Sequence, residues 1–293
     1  MSTISERIRK GFGKSDRKRD AGLTTPDDVV RFDDIQYGED PEFQVLDVYR
    51  PKGAEGKLPV IMIVHGGGWV YGDKGVYQFY AMSLAQRGFA IVNYSYRLAP
   101  EYRYPAAIED TNSVVKWTLA NGDKYGFDCN NIFAVGDSAG GQILSVYSAV
   151  LTNSRFSRKY KLDLPEKFCF RAIGLNCGRY ADSSNEPESL SNSLMGEVVP
   201  PDWKVKDLKK MNCVGNVTRK FPPSFVMTSY GDFLKDQPER LIADLKAHQV
   251  PFTYRMYGSA KNRLPHVFHC NIKTEDARIC NDEECAFFRK FIK

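Results

Sequence analysis

The stretch Ile132-Phe133-Ala134-Val135-Gly136-Asp137-Ser138-Ala139-Gly140 constrains this chain more than any other. Its first half is a short apolar run that favours a buried β-strand. From Ala139 onward, Ile143, Leu144, Val146 and Tyr147 fall at helical spacing. Ser138 therefore stands where a strand turns at once into a helix. Such a turn strains the serine backbone and leaves no room for side chains two positions to either side. Glycine at Gly136 and Gly140 meets both demands. The outcome is a hydroxyl raised above a sheet with a helix N-terminus behind it, the elbow that presents a nucleophilic serine.

A second glycine run, His65-Gly66-Gly67-Gly68-Trp69, follows the nearly continuous apolar stretch Leu58 to Val64. That stretch suits a central strand buried on both faces. Further strands are predicted over residues 32–38, 43–50, 89–96, 168–175, 224–229 and 252–257. Helices are predicted over 77–87, from Pro105 through Leu119, from the elbow to Leu151, and over 238–248 and 282–292. Strands alternating with helices imply a mostly parallel, eight-stranded sheet covered on both faces, the α/β class. Such sheets carry their chemistry at the carboxyl ends of strands, where Ser138, His65, Asp232 and His266 all fall.

A single domain over residues 1–293 is expected. Residues 1–30 are polar and read as a flexible arm or short helices over the site. Residues 176–221 form a long excursion, through Ser183-Ser184-Asn185, Pro187 and Pro200-Pro201, and are read as a lid. Short helices are expected in it near 188–195 and 202–211.

Hydrophobic residues make up 42% and charged residues 26% of the 293, the balance of an ordinary globular protein. The net charge of +5 is mild, and the basic residues form no stripe with aromatic support. Nucleic acid is thus not an expected partner. The first residues lack the apolar core of a secretory signal, and no apolar run approaches bilayer length, so no membrane association is expected. Seven cysteines at irregular spacing fit reduced thiols and a cytoplasmic location. His266, His269, Cys270, Cys280 and Cys285 cluster in sequence but match no common zinc spacing, so no metal is expected.

A serine hydroxyl needs a base, and the base needs an orienting acid. Of four histidines, His65 heads the glycine run and His248 lies in a predicted helix. His266, stiffened by Pro265 in the loop after the last strand, is the expected base, with His269 the other candidate. Asp232 follows the preceding strand directly and is the expected acid, while Asp236 reads as a helix cap. The order serine, acid, histidine matches this type of fold. Gly67, Gly68 and Ala139 are the expected amide donors to a developing oxyanion, with Gly66 an alternative to Gly68. Trp69, Met195 and Trp203 are expected to wall a small apolar substrate pocket.

His65-Gly66-Gly67-Gly68-Trp69, Tyr96-Arg97-Leu98-Ala99-Pro100-Glu101, Pro105-Ala106-Ala107 with Asp110, Gly136-Asp137-Ser138-Ala139-Gly140, Asp232-Phe233-Leu234 with Asp236, and Pro265-His266 with Phe268 occur in one order. Together they resemble the hormone-sensitive-lipase-like family of α/β-hydrolases, over about residues 45–290, with the lid matching least. The resemblance implies a serine carboxylesterase acting on short acyl esters without a cofactor, under a lid built from the N-terminus and an insertion. Bacterial members include cytosolic esterases, some of them acetyl esterases acting on sugars, so the resemblance also admits acetyl esters of sugars as substrates. Two departures stand out: Val267 where the family often has glycine, and Phe233 where proline often follows the acid. Arg97, Glu101 and Asp110 are expected to brace the oxyanion loop as ion pairs.

Two other functions fit the scaffold. A serine peptidase or amidase would use the same groups, but no separate substrate domain favours peptides. A non-catalytic ligand-binding protein would be favoured by a missing base, and His266 is present. The expected partner is a small ester, and a homodimer is compatible with the sequence.

Overall fold

The computed structural model describes residues 3–181, 189–190 and 193–293. One sheet of eight strands organises them, in the order β1-β2-β4-β3-β5-β6-β7-β8. The strands are β1 (Val29–Gln36), β2 (Val45–Pro51), β3 (Leu58–Val64), β4 (Ala90–Tyr94), β5 (Phe127–Asp137), β6 (Ile173–Asn176), β7 (Ser224–Ser229) and β8 (Phe252–Tyr257). From β4 to β8 every pairing is parallel, and β1 and β2 add an antiparallel edge.

The helices are α1 (Ile4–Asp20), α2 (Lys74–Ala85), α3 (Ala106–Ala120), the single turn α4 (Gly122–Tyr125), α5 (Ala139–Thr152), the single turn α6 (Ser154–Ser157), α7 (Leu194–Val198), α8 (Gln237–Ala247) and α9 (Glu275–Arg289). Alternation along β3 decides what each covers. Val60, Met62 and Val64 join a core with side chains of α3, α5 and α8. Ile61 and Ile63 point to the other face and join one with α2 and α9. Both sets are buried, which is why Leu58–Val64 reads as an unbroken apolar run.

The strands β3, β7 and β8 keep their expected bounds. β5 begins earlier, because Phe127 and Asp128 pair with Leu58 and Pro59 ahead of a register shift. β6 begins later, at Ile173. The N-terminal arm is one helix of 17 residues, not a flexible segment or several short helices. Thr3 and Glu6 close it with a capping box. In the excursion, a helix runs over Leu194–Val198 and a 3₁₀ helix over Val205–Met211. Ser183, Ser184, Asn185, Pro187 and Glu188 lie outside the described residues. All seven cysteines are free thiols. Among the described residues no helix is long and apolar enough to cross a membrane.

Candidate active site

The elbow has the strained geometry its glycines imply. Ser138 sits at φ 52° and ψ −117°, between the end of β5 and the first turn of α5. A Cβ on Gly140 would lie 2.0 Å from the Val64 carbonyl oxygen, and one on Gly136 would lie 2.5 Å from that of Gly140. The Ser138 amide donates to the Asn176 carbonyl on β6 at 3.0 Å, which pins the turn to the sheet.

His266 reaches Ser138 from the loop after β8. Its Nε2 lies 2.9 Å from Ser138 Oγ, and its Nδ1 lies 2.6 Å from Asp232 Oδ1. Asp232 follows β7 and is buried. Its Oδ1 also accepts from the Leu234 amide and its Oδ2 from the Thr228 hydroxyl. Burial works to raise the pKa of Asp232, but the His266 hydrogen bond and charge, the Leu234 amide and Thr228 outweigh it. The net effect lowers it, so the acid is a carboxylate at neutral pH. The other sequence candidates stand elsewhere. Asp236 takes the position before α8. His269 is buried against Cys270, and burial pushes its pKa down to about 3.

The glycine loop after β3 takes its register from a side chain that sequence reasoning missed. The Tyr77 hydroxyl accepts from the Gly66 amide at 2.9 Å and donates to Asp137 Oδ2 at 2.7 Å. Gly66 is therefore spent. Among the described residues, the amides of Gly67, Gly68 and Ala139 donate to no other group. His65 anchors the loop as a neutral ring, since burial pushes its pKa down to about 4. It stacks on Tyr96 at 4.0 Å and donates from Nδ1 to the Gly66 carbonyl. Burial pushes Asp137 up to about 6. Tyr77→Phe frees the Gly66 amide and unties the loop from the elbow. The expected result is a labelling of Ser138 by a p-nitrophenyl phosphonate slower by about 10- to 100-fold, read from released nitrophenol.

A cavity of about 260 Å³ opens over Ser138 and His266. Gly66, Gly67, Tyr71, Tyr77, Asp137, Phe233 and Val267 line it, together with Phe12, Ser15, Asp16 and Arg19 of α1. Helix α1 is held there mainly by polar contacts. Arg9 donates to the Val70 and Ala99 carbonyls and forks onto Glu101, while Tyr71 donates to Asp16. The Glu197 carboxylate, from the excursion, accepts from the Ile4 and Ser5 amides at the helix start. Val267 adopts φ 52° and ψ 34°, a left-handed conformation costly for a β-branched residue and free for glycine.

Four expectations need correction. Glu101 pairs with Arg9, not Arg97, which instead binds Asp110 and Glu109. Trp203 does not line the Ser138 cavity: it packs against Tyr104, with Lys210 over its ring. Met195 and Trp69 are likewise absent from its lining. Met195 is buried in the main core, and the Trp69 indole donates to Gln142 beneath the loop. Among the described residues, Asp137, His269 and Cys270 also bring possible metal-ligand atoms within 4.8 Å of one another.

Behind the elbow, the Asn176 side chain donates to Glu284 Oε1 at 2.9 Å, and Tyr80 donates to Oε2. Burial raises Glu284 from the ordinary 4.5 to about 7. A raised carboxyl contributes stability that is full below its unfolded pKa and lost as pH rises through its folded one. Between about pH 5 and about pH 8 the wild type is therefore expected to lose unfolding free energy relative to Glu284→Gln, as urea titrations would show.

The fold and the elbow are those of an α/β-hydrolase. The solved esterase B from Lactobacillus Rhamnosis superposes with a TM-score of 0.82 at 24% identity, covering 98% of this chain and 94% of that one. The chain belongs to the BD-FAE family, whose model matches residues 46–234. Esterase LipC of Mycobacterium tuberculosis is 39% identical over 203 residues, 66% of this chain and 49% of LipC. This chain thus spans about half the length of that relative. An acetyl esterase of Salmonella choleraesuis is 27% identical over 227 residues, 73% of this chain and 68% of the esterase. The hormone-sensitive-lipase-like resemblance and the fold class expected from the sequence are borne out.

Proposed function

We propose that this protein is a serine carboxylesterase that hydrolyses short-chain acyl esters through an acyl-enzyme. The observation that carries the reading is the continuous relay from Ser138 Oγ through His266 to Asp232, at 2.9 and 2.6 Å, open to a cavity. Ser138 attacks the ester carbonyl as His266 Nε2 takes its proton. Asp232 holds the Nδ1–H tautomer and stabilises the imidazolium. The amides of Gly67, Gly68 and Ala139 receive the oxyanion, each worth about 3 kcal/mol of barrier. The His266 proton leaves with the alcohol. Water then attacks the acyl carbon as His266 takes its proton, and the bond to Ser138 breaks as His266 returns that proton to Oγ, releasing the acid.

The chain acts as one α/β-hydrolase unit, with α1 as the cover of the cavity and Glu197 of the excursion holding the start of that helix. The cavity is small beside ordinary ligand pockets of about 300–1,000 Å³, which supports short acyl groups. The ester hydrolases among its relatives support the same chemistry. A series of p-nitrophenyl esters from acetate to decanoate tests the reading. Turnover is expected to be highest at the short end and abolished in Ser138→Ala. Equal turnover by Ser138→Ala would reject the nucleophile, and a peak at decanoate would reject the short-acyl assignment.

A further inference from the structure

Phe233 is 74% exposed, more than any other large apolar side chain recorded as exposed among the described residues. It follows the acid Asp232, and its ring lies 4.3 Å from the His266 ring. Phe12, on α1, is 45% exposed and meets Tyr71 edge-on at 5.8 Å. Both phenylalanines line the cavity that holds Ser138. Two aromatic rings thus line one cavity from segments far apart in sequence, Phe233 largely in water and Phe12 nearly half so. Apolar surface held in water in this way favours any apolar partner that covers it.

The charged groups on the same wall are already paired with one another, which leaves the Ser15 hydroxyl as the α1 polar group facing the cavity beside them. Asp16 accepts from Tyr71 and Arg19, and Arg19 also binds Asp20 and the Val76 carbonyl. They offer little to a hydroxylated or charged substrate, whereas the two rings have their faces to give. The direction of the chemistry says which half of the ester they meet. His266 Nε2 must deliver its proton to the departing alcohol oxygen, so a ring packed on His266 borders the alcohol side.

We propose that the alcohol half of the substrate carries an aromatic ring, received between Phe12 and Phe233, so that the substrate class is short-acyl esters of arylalkyl alcohols. The proposal rests on the esterase reading above and adds the identity of the leaving group. Aromatic pairs prefer offset or edge-to-face contact, and the two rings can give one contact on each side of the guest.

The test compares kcat/KM for benzyl acetate, cyclohexylmethyl acetate and ethyl acetate, whose alcohols leave with similar difficulty. The wild type is expected to prefer benzyl acetate over both. In Phe233→Ala and in Phe12→Ala, the benzyl-to-ethyl ratio is expected to fall by about 5- to 10-fold, the scale of one lost aromatic contact plus its buried area. Because the readout is a ratio within one variant, a general loss of activity does not imitate it. A ratio that stays within about twofold of wild type in both variants overturns the proposal. Equal wild-type preference for the cyclohexylmethyl and benzyl esters overturns the aromatic assignment. Failure of the esterase reading looks different: no ester in the set would be turned over in a Ser138-dependent way.

Discussion

Replacing His266 with alanine is expected to lower kcat/KM for a short acyl ester by about four orders of magnitude. Ser138 stays in place, and so do the amides of Gly67, Gly68 and Ala139 proposed to receive the oxyanion, so slow turnover above the uncatalysed rate is expected to persist. What disappears is the acceptor for the Ser138 proton, since Nε2 is the group that faces Oγ at 2.9 Å. Asp232→Asn should cost nearly as much, because an amide at this position allows the wrong imidazole tautomer to form. His269→Ala is the informative contrast. That ring stands next in sequence to the same loop, but it is buried against Cys270 and Tyr80 and does not touch Ser138. Its loss should lower stability through the cavity it leaves while kcat falls far less. Steady-state kinetics beside thermal melts on the three variants separate the two roles.

Gly140→Ala is expected to destabilise the fold by about 3 kcal/mol or more and to remove activity with it. The added methyl would lie 2.0 Å from the Val64 carbonyl oxygen and 2.5 Å from that of His65. Both are backbone atoms at the end of the central strand, so no side chain can turn away to make room. Relief requires α5 to lift from β3, which carries Ser138 away from the oxyanion loop. Gly11→Ala is the control at an open position. Nothing lies within 4 Å of its added methyl, and it sits inside α1. That change is expected to stabilise by about 0.5–1 kcal/mol through helix propensity. Urea unfolding of both variants should therefore move in opposite directions.

The contrast between these two glycines also shows where the sequence was informative. At the elbow, local covalent geometry leaves few options, so a five-residue pattern announces its own backbone. The central strands were equally legible, because burial on both faces writes an unbroken apolar run. Helix α1 was not, because its docking contacts are made by Arg9, Asp16 and Arg19 with distant partners. Hydrophobic periodicity carries no record of such pairings, although Ile4, Ile8 and Phe12 do repeat at four-residue steps. Trp203 misled for a related reason. A tryptophan in a long excursion implies an apolar contact but not which one, and here it is Tyr104. The role of Tyr77 had no local signal at all, since it arises only when α2 brings that hydroxyl between Gly66 and Asp137.

Val267 and Phe233, the two departures from the resembled family, acquire physical meaning together. Val267 holds a left-handed backbone beside His266, at a cost of about 1–3 kcal/mol that glycine would avoid. Phe233 places a ring over the same histidine. Both line the cavity, so both changes bear on the shape offered to substrate and neither removes a reacting group.

The central claim is that Ser138 forms the covalent bond to substrate, and its most direct test is stoichiometric labelling. The protein is treated with a p-nitrophenyl phosphonate, and released nitrophenol is counted against activity lost. The modified peptide is then located by mass spectrometry. The account predicts one phosphonyl group per chain, on Ser138, appearing in step with inactivation and nearly absent in His266→Ala. Full inactivation with the label on another residue, or undiminished ester hydrolysis once Ser138 is modified, would contradict it.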